Sequence, residues 1–419
     1  MDIVKTKGKH LLCSILVREW VSGLMKGLVL TSTVFFLSSC IDSKSPYENR
    51  LEALNENKKT LNIALAWPYN VENRGTKTSI IQGVDLAVKE INANGGILNR
   101  KIKIIKFDDG RSINDGMKVA QKIADDKSLF AVIGHLDSYI SVPTSTTYEF
   151  SGLITINPGS TDAKLTLAGY PHLFRLISKN AIQGEKMAEY FQAKGLKKIV
   201  IYYVNNSYGM TLANAFERVA LDLGITVVDR RAYDKSSRDH SRTMQDWRQF
   251  YQFDAIFLAG SMPEGPEIIR QAKFAGITEG IYAGAGLDSL AFLESGGADV
   301  ENTNVVSFVP LDYKRSNRDL DIDDSEIRRF ADAYYSEYGS LPREAAPALG
   351  FDSVMLLAKA VEKVGSLDRD KVSEEIRNSK GWVGSTGIFN FDENGDVDDK
   401  LMVINQVING EFTFANKIN

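Results

Sequence analysis

The feature that most limits what this chain can fold into is an alternation of short strand-like runs with amphipathic stretches, repeated in two series. Residues 61–67 form a short apolar run rich in strand formers, and Ile80, Ile81, Val84, Ala87, Val88 and Ile91 then recur at helical spacing. Asn94-Gly95-Gly96 stops that helix, because a left-handed cap favours Gly or Asn. Residues 101–107 alternate as a strand, 115–125 read as a helix, 129–133 as a buried strand, 138–150 as a helix and 153–157 as a strand. A second series begins near Asn180, with helices over 181–194, 210–223 and 264–275 and strands over 198–204, 226–231 and 255–260. Such alternation implies parallel sheets covered by helices on both faces, and two series imply two α/β lobes. Ligands of open α/β sheets sit outside the carboxyl ends of the strands, so the segments that follow the strands are where chemistry is expected.

Those segments hold hydroxyls, glycines and backbone rather than a catalytic set. Gly134-His135-Leu136-Asp137-Ser138 follows one strand and Asn157-Pro158-Gly159-Ser160-Thr161 another. Small residues with free N–H groups at a helix start suit a carboxylate or another anion. Plain N-capping by Ser138 and Thr161 is the competing reading. The chain has no Walker-type phosphate loop and no HExxH, and none of its 4 histidines has an evident nucleophile partner. His10 lies in the leader, His135 is expected to hold a supporting hydrogen bond, and His172 and His240 stand alone in loops. The expectation is a binding protein, not an enzyme, with no cofactor and no metal. Asp392-Glu393-Asn394-Gly395-Asp396 has Val397 where a calcium loop wants glycine, so it reads as a turn. The acidic run over 319–324 reads as a solvated loop.

The N-terminus carries an export signal. Met25-Lys26 precedes the apolar residues 27–36, and Leu37-Ser38-Ser39-Cys40 follows. A basic residue, a short apolar run and small residues before a cut are the parts of a secretory signal, and the cysteine marks a bacterial lipoprotein. The apolar run is well short of the ~20 residues a membrane-spanning helix needs. Residues 1–39 are therefore expected to be a signal peptide whose functional start is Met25, with Cys40 as the acylated residue. Residues 40–59 are expected to form a flexible linker. Several acyl chains would then anchor the exported protein to a membrane facing the periplasm or the cell exterior. Only 2 cysteines exist, Cys13 and Cys40, so no disulfide pair remains after acylation. A formal charge of -4 gives no electrostatic footprint for nucleic acid.

The strand-end segments also carry a family likeness. Gly134-His135-Leu136, Pro143 and Asn157-Pro158-Gly159-Ser160-Thr161 resemble the leucine/isoleucine/valine-binding proteins, the type I solute-binding proteins of ABC importers. Gln82-Gly83 with Ile91-Asn92-Ala93-Asn94-Gly95-Gly96-Ile97, then Phe107-Asp108-Asp109, Asn206-Ser207-Tyr208-Gly209 and Thr386-Gly387 through Asp396 are similar to further family segments, in the family's order from about Leu61 to Gly410.

The resemblance implies a two-lobed periplasmic-binding-protein fold of type I that closes on its ligand, with lobe 1 over 60–178 and 310–388 and lobe 2 over 179–309 and 389–419. It implies that Ser138, Gly159, Ser160 and Thr161 hold a ligand carboxylate and that Tyr208 stacks on the ligand or bonds to it. A rim-capping aromatic is the plainer role for Tyr208. Departures from the family pattern bear on the ligand. Ser261 and Met262 stand where an aromatic is common, and Ala285 stands where the ammonium-binding acid is expected. Asp288 either replaces that acid or caps the helix beginning beside it. The loop over 70–78 has Thr76 near the family's tyrosine position, with Arg74 and Lys77 beside it. Trp67 either floors the cleft or packs in the core. The implied function is capture of an amino acid or small carboxylate and delivery to ABC permease subunits. A sensing receptor of a signalling system and an envelope regulatory lipoprotein are the alternatives that share the fold.

Overall fold

The strand-forming runs assemble into two sheets, each with helices against it. A computed structural model of the chain describes residues 44–69, 79–311, 325–397 and 400–418. Helix α1 (Pro46–Glu56) leads into β1 (Thr60–Trp67), α2 (Ile80–Ala93), β2 (Lys101–Asp108), α3 (Ile113–Asp125), β3 (Leu129–Gly134), α4 (Ser138–Phe150), β4 (Ile154–Asn157), the single turn α5 (Lys164–Leu167) and β5 (Leu173–Arg175). These five strands are all parallel, in the order β2-β1-β3-β4-β5. Every residue of β3 and β4 is buried, as expected of strands covered on both faces.

The second series runs α6 (Asn180–Ala193), β6 (Lys198–Val204), α7 (Ser207–Asp222), β7 (Thr226–Tyr233), α8 (Ser241–Phe250), β8 (Ala255–Ala259), α9 (Glu264–Phe274), β9 (Gly280–Ala283), α10 (Leu290–Gly296) and β10 (Asn304–Ser307). The chain then forms α11 (Ser325–Tyr338), α12 (Ala346–Val364) and α13 (Arg369–Asn378), which return to the first sheet's side. The backbones of α2 and α12 come so close that a Cβ on Gly83 would lie 1.7 Å from the Pro347 carbonyl oxygen. The short hairpin β11 (Trp382–Gly384) and β12 (Gly387–Phe389) hangs on the Asp352 carboxylate, which accepts from the Ser385 and Thr386 N–H groups. Finally β13 (Val403–Ile408) and β14 (Glu411–Lys417) add antiparallel edges to the second sheet, whose order is β14-β13-β10-β9-β8-β6-β7. The chain thus crosses between the two lobes three times, and among the described residues no helix is long and apolar enough to cross a membrane.

Three expectations need correction. The linker expected over 40–59 includes helix α1, and α1 is anchored. Arg50 is 1% exposed and donates to four backbone carbonyls, those of Ala124, Asp126, Leu129 and Ser151, at 2.6–2.9 Å. The segment's polarity made it read as a spacer, but one arginine ties it down, because a guanidinium provides five donors in a rigid fork. Nor do His172 and His240 stand alone. His172 bridges Glu149 and Asp370 at 2.7 and 2.8 Å, and buried His240 meets the Tyr202 hydroxyl at 2.9 Å. Cys40 and the acidic run over 319–324 lie outside the described residues.

Replacing Arg50 with Met removes four hydrogen bonds to backbone carbonyls, three of them buried. The expected cost is about 3 kcal/mol. The urea midpoint should fall with an unchanged slope, while Lys58→Ala on the adjacent surface should leave it in place.

Candidate functional site

The carboxyl ends of strands from both sheets face one cavity of about 420 Å³. Its anion end is built by Asn157 at the end of β4. The Asn157 amide nitrogen donates to the carbonyls of Gly134 and His135 and to Ser141 Oγ, at 2.8, 3.3 and 3.1 Å. Its carbonyl oxygen accepts from the N–H groups of Gly159 and Ser160 at 3.1 and 2.7 Å. One side chain therefore locks the loops after β3 and β4 together. Arg175, fully buried below them, donates to the carbonyls of Asp162 and Ser160 and pairs with Asp396. Burial would push the Asp396 carboxyl up, but Arg175 and Lys179 outweigh it and hold it below the usual range. Asp396, read from the sequence as part of a plain turn, thus supports the site from behind.

The expected cradle of free N–H groups in the second loop is not what forms. The Gly159 and Ser160 N–H groups are taken by Asn157, and those of Thr161 and Asp162 approach Ser138 Oγ at 3.3 Å. Ser160 is fully buried and donates to Ser138 Oγ at 3.1 Å, so it lies behind the cavity wall and is not part of it. What faces the cavity is Ser138, Gly159 and Thr161, together with the start of α4. The Thr161 hydroxyl is buried and has no partner among the described residues. Neither Ser138 nor Thr161 acts as an N-cap: the cap of α4 is Asp137, whose side chain bonds elsewhere. A helix start and two hydroxyls satisfy a carboxylate without an opposing buried charge.

The opposite wall comes from the second lobe. Tyr208 lines the cavity, and its hydroxyl accepts from the Gly286 N–H at 2.9 Å. The ring lies so near Gly286 that a Cβ there would come within 2.9 Å of it, so Tyr208 is packed closely into the wall of the cavity. Ser261 and Met262 also line the cavity, as does Trp67, which belongs at the same time to the main core. Arg74 and Thr76 lie outside the described residues.

Asp288 faces the cavity from the loop after β9. It does not cap the following helix, since Ser289 accepts from the Phe292 N–H there. Its Oδ1 is buried and without a partner among the described residues. Burial pushes its carboxyl up to about 7, against the pull of the Ser307 hydroxyl, and neighbouring Glu344 adds to the push. Glu344 also lines the cavity, its Oε1 accepting from Ser79 Oγ and its Oε2 from the Leu290 N–H at 2.6 Å. Burial raises its pKa too. Two carboxylates with no ion pair among the described residues make this end of the cavity cation-seeking.

Sequence reasoning missed Glu344, Asn157, Arg175, Arg111 and Asp137 as site residues. Asn157 and Arg175 end strands, and Arg111 and Asp137 closely follow them, so position carried a local signal for these four and none for Glu344.

The model described as a periplasmic binding protein matches residues 60–411. The chain belongs to that family. A Leu/Ile/Val-binding protein homolog of Brucella suis is 28% identical over 335 residues, 80% of this chain and 86% of that protein. An ABC transporter substrate-binding protein of Desulfitobacterium hafniense, solved in complex with Leu, shares 34% identity at a TM-score of 0.73, over 85% of this chain and all of that one. A leucine-binding protein of Thermotoga maritima shares 28% identity at a TM-score of 0.77, over 86% and 99% of the two chains. The fold is the two-lobed type I form, and relatives of this periplasmic binding protein are solute-binding proteins of ABC transporters.

Asp288 makes a pH prediction. In the ligand-free protein it keeps its proton up to about pH 7, whereas in the unfolded chain it ionises near the ordinary carboxylate value of about 3.9. Between those values the native state binds more protons, so this group lowers stability as pH rises through the window. Calorimetric unfolding should therefore find ligand-free Asp288→Asn more stable than the parent at pH 8 and nearly equal to it at pH 4.

Proposed function

We propose that this protein captures an α-amino acid with an apolar side chain between its lobes and delivers it to an ABC importer. One observation carries this reading: a cradle of Ser138 and Thr161 hydroxyls at a helix start shares an apolar-walled cavity with Asp288, a carboxylate with one oxygen unpartnered among the described residues. The first suits the ligand's carboxylate and the second its ammonium. Met262, Leu136, Phe308, Leu349 and Trp67 leave an apolar surround for the side chain. An acid lacking an ammonium would leave Oδ1 of Asp288 unpartnered, at a cost of several kcal/mol if the carboxyl is ionised. The leucine bound in the structure of the D. hafniense relative agrees with this choice. Tyr208, Ser261 and Gly159 complete the proposed contact set, with Glu344 beside Asp288. Export through the Met25 signal and acylation at Cys40 would hold the protein at the membrane where a permease works.

A thermal-shift panel tests the ligand class. A ligand at about a hundred times its dissociation constant adds ~2.7 kcal/mol, or several degrees for a chain of this size. Leucine, isoleucine, valine and phenylalanine should stabilise the protein, and benzoate and 3-methylbutanoate should not. Stabilisation by the two acids alone would refute the amino-acid reading.

A further inference from the structure

Away from Asp288, the other side of the cavity is closed by a cluster that no ligand contact requires. Arg111 follows β2, and Asp109 Oδ1 accepts from its N–H at 3.0 Å, which holds Arg111 at a φ of 54°. Its guanidinium takes both oxygens of Asp137 on its own lobe, at 2.9 and 2.7 Å. The third nitrogen crosses to the second lobe and donates to the Met262 carbonyl at 3.0 Å. A second bond crosses in the opposite sense. Lys235, after β7, donates to the Tyr139 hydroxyl of α4 at 2.7 Å, and that hydroxyl donates in turn to the Arg111 carbonyl at 2.9 Å. Beside both bonds lies Glu264 at the start of α9, 1% exposed, with neither carboxylate oxygen partnered among the described residues. Arg111 and Lys235 are among the cations whose charge acts on it.

These contacts differ in kind from those within a lobe. The Arg111–Asp137 pair survives when the lobes part, because both residues stand on the first sheet. The bonds to Met262 and from Lys235 exist only when the lobes meet. An interaction present in one state alone shifts the equilibrium by its full strength. The cationic side chains also bring positive charge to Glu264, a carboxylate of the second lobe that is buried without a hydrogen-bond partner among the described residues.

We propose that Arg111 and Lys235, with Asp137, Tyr139, Glu264 and the Met262 carbonyl, form a cross-cleft latch that stabilises the closed state and sets how long a bound amino acid stays. The latch is separate from the groups that hold the ligand's carboxylate and ammonium. It rests on the cleft being a ligand site that opens and closes as a hinge.

The test uses residues 46–419, which form one compact unit containing both sheets and contain no cysteine. Spin labels at Lys122→Cys and Asp222→Cys, one on each lobe, report the interlobe distance. Lys235→Met and Tyr139→Phe are made singly and together. Each single change should shift the ligand-free distance distribution toward longer values. Each should also raise the dissociation rate of L-leucine by about tenfold, as loss of a hydrogen bond to a charged group does. The double variant should do no more than either single one. Unchanged ligand-free distances, or single effects that simply multiply in the double variant, would overturn the latch. If L-leucine does not bind the parent at all, the amino-acid reading fails, and the ligand-free distances still decide the latch.

Discussion

The carboxamide of Asn157 uses both of its ends to tie two strand-end loops into one surface. Each loop alone would be a short irregular segment with unpaired backbone groups, which is costly in a buried place. Joined, they bring Ser138 and Thr161 to one wall of the cavity. Arg175 secures the same loops from below through the carbonyls of Ser160 and Asp162. The position of the anion end thus depends on two buried polar residues that never meet the ligand in the proposed mode.

The cavity's other end rests on an imbalance. Several buried carboxylates are answered: Asp396 by Arg175 and Lys179, Asp137 by Arg111, and Asp352 by hydroxyls, N–H groups and the nearby Lys400. Asp288 keeps one oxygen without a partner among the described residues, at the wall of the cavity. A folded protein tolerates such a group where a ligand completes it. The two ends then select jointly: the hydroxyl end accepts many carboxylates, and Asp288 favours those that bring a cation.

The fold was legible because the strand and helix periods alternate cleanly, and β1, β3, β4, β6 and β8 lie where short apolar runs stand in the chain. Ser138, Gly159, Thr161 and Tyr208 were legible through strand-end position and family likeness, and all four line the cavity. Ser160 was not separable from its neighbours in sequence, because a hydroxyl facing Ser138 from behind looks the same as one facing the cavity. Arg50 deceived for a related reason. Its polarity argued for solvent, and only the tertiary fold supplies the four carbonyls that bury it. Glu344 stands far along the chain from the other site residues and reaches the cavity because α12 packs against α2, a contact no local pattern announces.

The most direct test of an ammonium seated on Asp288 is to count protons. At pH 6 the ligand-free Asp288 is largely protonated, since burial pushes its carboxyl up to about 7. An ammonium placed on it favours the ionised form, so binding should expel that proton. Calorimetric titration of L-leucine at pH 6 in two buffers of different ionisation enthalpy measures the number released. The account predicts release of about one proton by the parent protein and none by Asp288→Asn. Binding with no proton released, or with protons taken up, would contradict it.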